Sequence, residues 1–211
     1  MLETSNQISH PAEKSICLSR WSNPVVKYMT GEVGSCCKIE QAVTLSLAEL
    51  EDLGTEAFLN SHFLKERRLE MLEGIRHPSC HTCWTMEDRS ISSFRSGPAK
   101  FVEHMNYAKG GRGDFNSILQ EKTRYLSSHH PVRLDIHFGK ACDLKCIYCG
   151  DEYSSRWAIG DTNHSSCSEE ILRFQDKFWE WYETICAELY QVVLYGGEPM
   201  VSPQFYQIVQ Q

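Results

Sequence analysis

Residues 132–149 read Val132-Arg-Leu-Asp-Ile-His-Phe138-Gly-Lys-Ala-Cys142-Asp-Leu-Lys-Cys146-Ile-Tyr-Cys149, and this stretch decides how the second half of the chain is built. Val132, Leu134, Ile136 and Phe138 alternate with Arg133, Asp135 and His137, the period of a β-strand. Three cysteines in the spacing C-x3-C-x2-C follow at once. Further on, Ile171, Phe174, Phe178, Trp181, Ile185 and Leu189 recur at three- and four-residue steps, the apolar stripe of an amphipathic helix. Ser166-x-x-Glu169 reads as a capping box at its start. Gln191-Val-Val-Leu-Tyr195 then reads as a buried strand that stops at Gly196-Gly197. Strand, long helix and strand make one βαβ unit with parallel strands, so the fold class is α/β.

Upstream the pattern is different. Ser96 to Ser117 holds Gly97-Pro98, Gly110-Gly111 and Gly113 with little apolar periodicity, the centre of a linker assigned to residues 96–130. The triplet Arg112-Gly113-Asp114 inside it reads as a turn. Residues 17–43 mix Cys, Gly and Pro with the β-prone run Val25-Val-Lys-Tyr28, which predicts a small hairpin turning at Thr30-Gly-Glu-Val-Gly34. Ser46-x-x-Glu49 predicts a short helix ending near Gly54. A longer helix is expected from Glu56 to Glu73, with Leu59 and Phe63 as an i,i+4 pair, Leu69 and Leu72 as an i,i+3 pair, and Gly74 at its C′ position. The expected organisation is a small α+β cysteine-rich domain over residues 1–95, the linker, and an α/β segment over 131–211.

At 211 residues the chain is long enough to bury a core, and 41% hydrophobic with 23% charged residues describes a globular protein. A net charge of −7 argues against nucleic acid as a partner, which would ask for a basic face. The N-terminus lacks the basic and apolar regions of a secretory signal, and no stretch is apolar enough to span a bilayer. The expected setting is therefore the cytoplasm, without a membrane partner. The ten cysteines then read as metal-binding or catalytic rather than as disulfides. Cys17, Cys36, Cys37, Cys80 and Cys83 lie in the first half; Cys142, Cys146 and Cys149 form a tight later group, which suggests one metal site in each half.

Ferredoxin-type clusters take four cysteine ligands. Here the next cysteine after Cys149 is Cys167, beyond a polar stretch, so the fourth iron of a cubane would lack a protein thiolate. An open metal position marks a site that binds substrate or cofactor. The other reading is that Cys167 closes the site as zinc or an electron-transfer cluster. Gly196-Gly197-Glu198-Pro199 falls at the C-terminal end of the next parallel strand, the edge where α/β folds bind ligands. Its glycines allow close approach of the backbone, and exposed carbonyls there can accept hydrogen bonds from an ammonium group.

Cys142-Asp-Leu-Lys-Cys146-Ile-Tyr148-Cys149 and Tyr195-Gly-Gly-Glu-Pro199 together resemble the two signatures of the radical S-adenosylmethionine superfamily. The resemblance implies that Cys142, Cys146 and Cys149 hold a 4Fe–4S cluster whose fourth iron is chelated by S-adenosylmethionine. It implies that Gly196, Gly197, Glu198 and Pro199 contact the methionine end and that Tyr148 lines the adenine side. Reductive cleavage to a 5′-deoxyadenosyl radical is the implied chemistry.

In the first half, Cys80-x2-Cys83 could be joined by Cys17 and the Cys36-Cys37 pair in one metal site. Thiolates suit zinc and iron–sulfur alike, and His77 and His81 beside Cys80 keep zinc open. Cys17-Leu-Ser-Arg-Trp21, Gly34-Ser-Cys36-Cys37 and Cys80-His-Thr-Cys83-Trp84-x2-Glu87 resemble the twitch or SPASM-like auxiliary domain of radical S-adenosylmethionine proteins. Arg133-Leu-Asp-Ile-His-Phe138 and Ser154-Ser-Arg-Trp157 fit the same group. The resemblance implies an auxiliary iron–sulfur cluster on Cys17, Cys80, Cys83 and one of Cys36 or Cys37, with Cys36 slightly preferred. It further implies a peptide or protein substrate and an electron donor of the flavodoxin or ferredoxin type. Such domains form a partial (β/α)6 barrel, of which one βαβ unit is visible, so a truncated barrel is expected, with the second strand of that unit left as an unpaired edge. The alternative function is a non-catalytic iron–sulfur, zinc-binding or electron-transfer protein.

Overall fold

The computed structural model describes residues 15–17, 19–36, 42–95, 131–158 and 168–210. Strand β1 (Pro24–Lys27) pairs antiparallel with β2 (Glu32–Ser35), and β2 pairs antiparallel with the short β3 (Val43–Thr44). Strand β4 (Arg133–His137) lies parallel to β1 on one side and parallel to β5 (Gln191–Tyr195) on the other. The sheet order is β3-β2-β1-β4-β5, and the chain is mixed α/β. The boundary at residues 96–130 divides the chain but not the sheet, because β1 from the first segment pairs with β4 from the second. Cys37, Cys167, the linker and the Arg112-Gly113-Asp114 triplet lie outside the described residues.

Among the described residues the helices are α1 (Ser19–Ser22), α2 (Leu47–Leu53), α3 (Ala57–Asn60), α4 (His62–Leu72), α5 (His81–Asp88), α6 (Glu169–Ile185) and α7 (Pro203–Val209). None is long and apolar enough to cross a membrane. Of the predicted α6 stripe, Ile171 is half-buried and Phe174, Phe178, Trp181 and Ile185 are buried, and Tyr182, outside that stripe, is buried with them. The five buried residues form one core with Val26, Val33, Leu134 and Ile136 of the sheet. Phe58 of α3 stacks on Trp181, with ring centroids 4.8 Å apart and planes at 8°. At roughly 1.5–3 kcal/mol for each large apolar side chain taken out of water, those five residues hold α6 down by about 7–15 kcal/mol as an upper estimate.

Several local expectations need correction. The capping serine of α6 is Ser168, whose Oγ accepts from Ile171 N at 3.3 Å; Ser166 lies outside the described residues. Leu189 has left the helix, past a 3-10 turn over Cys186–Glu188, and packs against the core from there. β5 is half-buried rather than buried, since among the described residues β4 is its one strand neighbour. The hairpin turns at residues 28–31, and Glu32, Val33 and Gly34 belong to β2.

The helix expected from Glu56 to Glu73 breaks at Ser61. Its ψ of 154° leaves the helical region, and its Oγ caps α4 by accepting from Leu64 N at 3.4 Å. The break is held by Arg68, which is 1% exposed. Its guanidinium donates to Leu59 O at 2.8 Å, one of the carbonyls freed at the end of α3, and to Asn60 Oδ1 at 3.0 Å. Leu59 and Phe63 therefore sit on different helices. The far end is as expected: Gly74, at φ 85°, closes α4 with hydrogen bonds Gly74 N to Met71 O and Ile75 N to Glu70 O.

Two features position the sites. On the face of the sheet away from the α6 core, Asp135 is 0% exposed. Arg133 Nε donates to Asp135 Oδ1 at 2.6 Å, and Arg133 Nη2 to Tyr195 Oη at 3.2 Å, tying β4 to β5. A second, smaller core of Ile16, Trp21, Met71, Leu72, Trp84 and Val132 has Cys17 and Cys80 packed against it.

Candidate metal centres

The parallel strands β4 and β5 end side by side, so the chain segments leaving them are neighbours. The loop after β4 carries Cys142, Cys146 and Cys149, all partly exposed. Gly196 and Gly197 follow β5 and lie flat against that loop. Gly197 N donates to Gly139 O at 3.0 Å, and Glu198 N to Ala141 O at 2.9 Å. A Cβ on Gly196, whose φ is 144°, would stand 2.6 Å from Gly139 O. A Cβ on Gly197 would stand 2.4 Å from Ala141 O and 2.7 Å from Cys142 Cβ. Both glycines are thus required by the cysteine loop itself, a reason the motif alone did not disclose. Among the described residues the carbonyls of Gly196 and Gly197 accept no hydrogen bond, while Glu198 O accepts from Val201 N and the Glu198 side chain caps Met200 N. Pro199 opens the 3-10 turn Pro199–Val201.

The cysteine loop is clasped from behind by Ser154, Ser155 and Trp157. Cys142 N donates to Ser155 Oγ at 3.2 Å, Ser155 N to Lys140 O at 2.8 Å, and the buried Ser154 Oγ to Leu144 O at 3.2 Å. Trp157 Nε1 donates to Cys146 O at 3.0 Å while Lys145 lies over its ring at 4.5 Å. Tyr148 is 90% exposed beside Cys146. A hydrogen bond to that thiol, then the charge on its sulfur, hold the phenol above its ordinary pKa.

Cys17, Cys36 and the Cys80/Cys83 pair come from three separate places in the chain and line one pocket with Arg20, Met71, Thr82 and Arg95. Cys36 is held at φ 75°, a left-handed conformation that costs a non-glycine residue energy and marks a constrained position. The free space between the thiols is about 20 Å³, on the order of one water molecule. That space is too small for a four-iron cubane unless the cysteine-bearing segments part, and a single ion would require the thiols to draw together. His77 is no ligand here, because Nδ1 is engaged with Ser79 and Nε2 with Arg67. Burial and the Arg67 charge hold its pKa below the ordinary value. His81 does not line the pocket.

The sequence reading missed the two arginines. Arg95 chelates Glu87 and stacks on Trp84 at 4.7 Å. Burial alone would raise the Glu87 carboxyl, but hydrogen bonds from Arg95 and Ser93 outweigh it and hold the group below its ordinary value. Arg20 lies three residues after Cys17, a closeness in sequence that could have flagged it.

A cleft of about 400 Å³ runs along the second face of the sheet from Cys36, past Lys27, His137, Lys140 and Glu152, to Gly196. His137 stacks on Tyr195 at 4.8 Å, and burial followed by the Lys27 charge lowers its pKa against the pull of Asp135, so it faces the cleft as a neutral imidazole near pH 7. The cleft thus has Cys36 in its lining, together with Gly196, which packs against the loop that carries Cys142. Among the described residues no three His, Cys, Asp or Glu side chains converge closely enough to hold one metal ion. A cubane makes a different demand, since each thiolate binds its own iron corner. Comparisons with protein-family models, curated proteins and solved structures return no match for this chain.

Proposed function

We propose that this chain binds an iron–sulfur cluster through Cys142, Cys146 and Cys149 and S-adenosylmethionine beside it, as a radical S-adenosylmethionine enzyme does. In the same reading Cys17, Cys36, Cys80 and Cys83 form an auxiliary thiolate centre. One observation carries the reading: Gly196 and Gly197, at the end of β5, pack backbone to backbone against the cysteine loop at the end of the parallel strand β4. That contact puts the two open carbonyls of the glycine pair next to the three-thiol loop, where the ammonium of an amino acid group can be received. Tyr148, exposed beside Cys146, is available to stack on a purine. When bound, the cluster would supply the electron for reductive cleavage of the sulfonium, yielding a 5′-deoxyadenosyl radical.

The chain's own groups do the rest. Ser154, Ser155 and Trp157 fix the loop so that its thiols stay presented. The 400 Å³ cleft offers a place for substrate, of peptide or protein class by resemblance, and a flavodoxin- or ferredoxin-type donor would supply electrons. A second reading, favoured by the 20 Å³ space at the first-half thiols, makes that centre zinc rather than iron–sulfur.

Anaerobic reconstitution with iron and sulfide tests the pair of sites. The wild-type chain should carry two clusters, and replacing Cys142, Cys146 and Cys149 by Ala, or Cys17, Cys80 and Cys83 by Ala, should each remove one. Loss of iron only in the first variant, with zinc retained, selects the second reading. Equal iron in the wild-type chain and the Cys142, Cys146 and Cys149 variant refutes the proposal.

A further inference from the structure

We propose that Arg20 is the resident counter-ion of an anionic four-thiolate centre at Cys17, Cys36, Cys80 and Cys83. The inference rests on reading that pocket as a metal centre, and concerns how the protein balances its charge.

Arg20 is 3% exposed and lines the pocket. Its Nη1 donates to Ser35 Oγ at 3.1 Å, and its Nη2 to Ser79 Oγ at 3.2 Å and to Cys80 Sγ at 3.3 Å. Its Nε is buried with no hydrogen-bond partner. Among the described residues no carboxylate pairs with it. The contrast with Arg95, the other arginine of the pocket, is direct: Arg95 is neutralised by Glu87 through two of its nitrogens. A guanidinium does not give up its proton inside a protein, so Arg20 is a full positive charge in a nearly dry place. Hydroxyls and a neutral thiol solvate such a charge poorly, and an unpaired buried cation is costly.

Metal-bound thiolates supply the missing negative charge. A divalent ion or an oxidised cubane held by four thiolates remains a dianion, and a cation donating to one of its sulfurs offsets part of that charge. The direction of the hydrogen bond fits, from nitrogen to the Cys80 sulfur. The same fork reaches Ser35, at the end of β2 next to Cys36, and Ser79, next to Cys80, so Arg20 also holds two ligand-bearing segments in position.

The test uses the full chain with Cys142, Cys146 and Cys149 replaced by Ala, titrated with Co²⁺ against a chelator and read by the thiolate-to-cobalt charge-transfer band. Outer-shell partners of metal ligands are worth about 10–100-fold in affinity, so Arg20→Met should weaken binding by that factor. Arg20→Lys, which keeps the charge but not the fork, should fall between the two. If Arg20→Met does not fold, Arg20→Lys against Arg20→Gln makes the comparison, with the charged variant expected to bind more tightly. Equal affinity of the charged and uncharged variants overturns the counter-ion role while the metal centre stands. A parent chain with no charge-transfer band refutes the centre itself, and the role of Arg20 with it.

Discussion

Gly197→Ala is the perturbation whose consequence can be worked furthest from the geometry. The added Cβ meets three atoms of the cysteine loop at once: Ala141 O at 2.4 Å, Lys140 O at 2.6 Å and Cys142 Cβ at 2.7 Å. None is the end of a flexible side chain, so the loop must retreat from β5 as a body. Overpacking of this kind costs about 1–3 kcal/mol. The retreat also opens the hydrogen bonds Gly197 N to Gly139 O and Glu198 N to Ala141 O, at about 1 kcal/mol each. A loss of about 3–5 kcal/mol follows, which for a chain of this size lowers the melting temperature by roughly 6–20 °C. Gly150→Ala is the control, since a Cβ there meets nothing within 4 Å. Thermal unfolding followed by circular dichroism should show a large drop for Gly197→Ala and almost none for Gly150→Ala. If the two variants melt together at the wild-type temperature, the glycine pair does not brace the cysteine loop and the reasoning is refuted.

Further outcomes follow from other parts of the structure. Cys36→Gly releases the left-handed strain at φ 75° and should stabilise the metal-free chain by about 1 kcal/mol in chemical denaturation, while weakening Co²⁺ binding at the first-half thiols; destabilisation with unchanged binding would contradict the assignment. Phe178→Ala, at a side chain 0% exposed and central to the aromatic cluster, should cost about 3–5 kcal/mol in the same assay. Stability should also fall with acid. The Glu87 carboxyl is held below its ordinary value, so its contribution is present above the ordinary carboxylate range and is lost as pH drops through the lowered value. His137 is held below the ordinary imidazole value, so its contribution is complete near pH 7 and falls away below about pH 6.5. Melting temperatures between pH 7.5 and 4 should therefore decline in wild type and decline less between pH 7 and 5 in His137→Gln; an unchanged slope in that variant would remove His137 from the account.

The parts of this fold that repeat a simple period were readable in advance. Val132 to Phe138 and Ile171 to Ile185 announce a strand and a helix because burial on one face selects apolar residues at two or at three and four steps. What broke the pattern was long-range. The helix interruption at Ser61 depends on Arg68 reaching back to the Leu59 carbonyl, and one buried guanidinium leaves no periodic trace. The pairing of β1 with β4 joins segments separated by the whole linker, and nothing local in Pro24–Lys27 says which strand will lie beside it. The cysteine groups were legible by spacing, yet the convergence of Cys17, Cys36, Cys80 and Cys83 on one pocket needed the fold. The glycine pair was legible as a motif but for an incomplete reason: its smallness is demanded first by the Cys142 loop.

The central claim, that the thiols of Cys142, Cys146 and Cys149 leave one iron open to S-adenosylmethionine beside Gly196 and Gly197, meets its most direct test in electron paramagnetic resonance. The chain is reconstituted anaerobically, reduced with dithionite, and measured with and without S-adenosylmethionine. The account predicts that the cofactor shifts the spectrum of the reduced cluster and that Cys146→Ala abolishes the shift. A reduced cluster whose spectrum is the same with and without S-adenosylmethionine would contradict it.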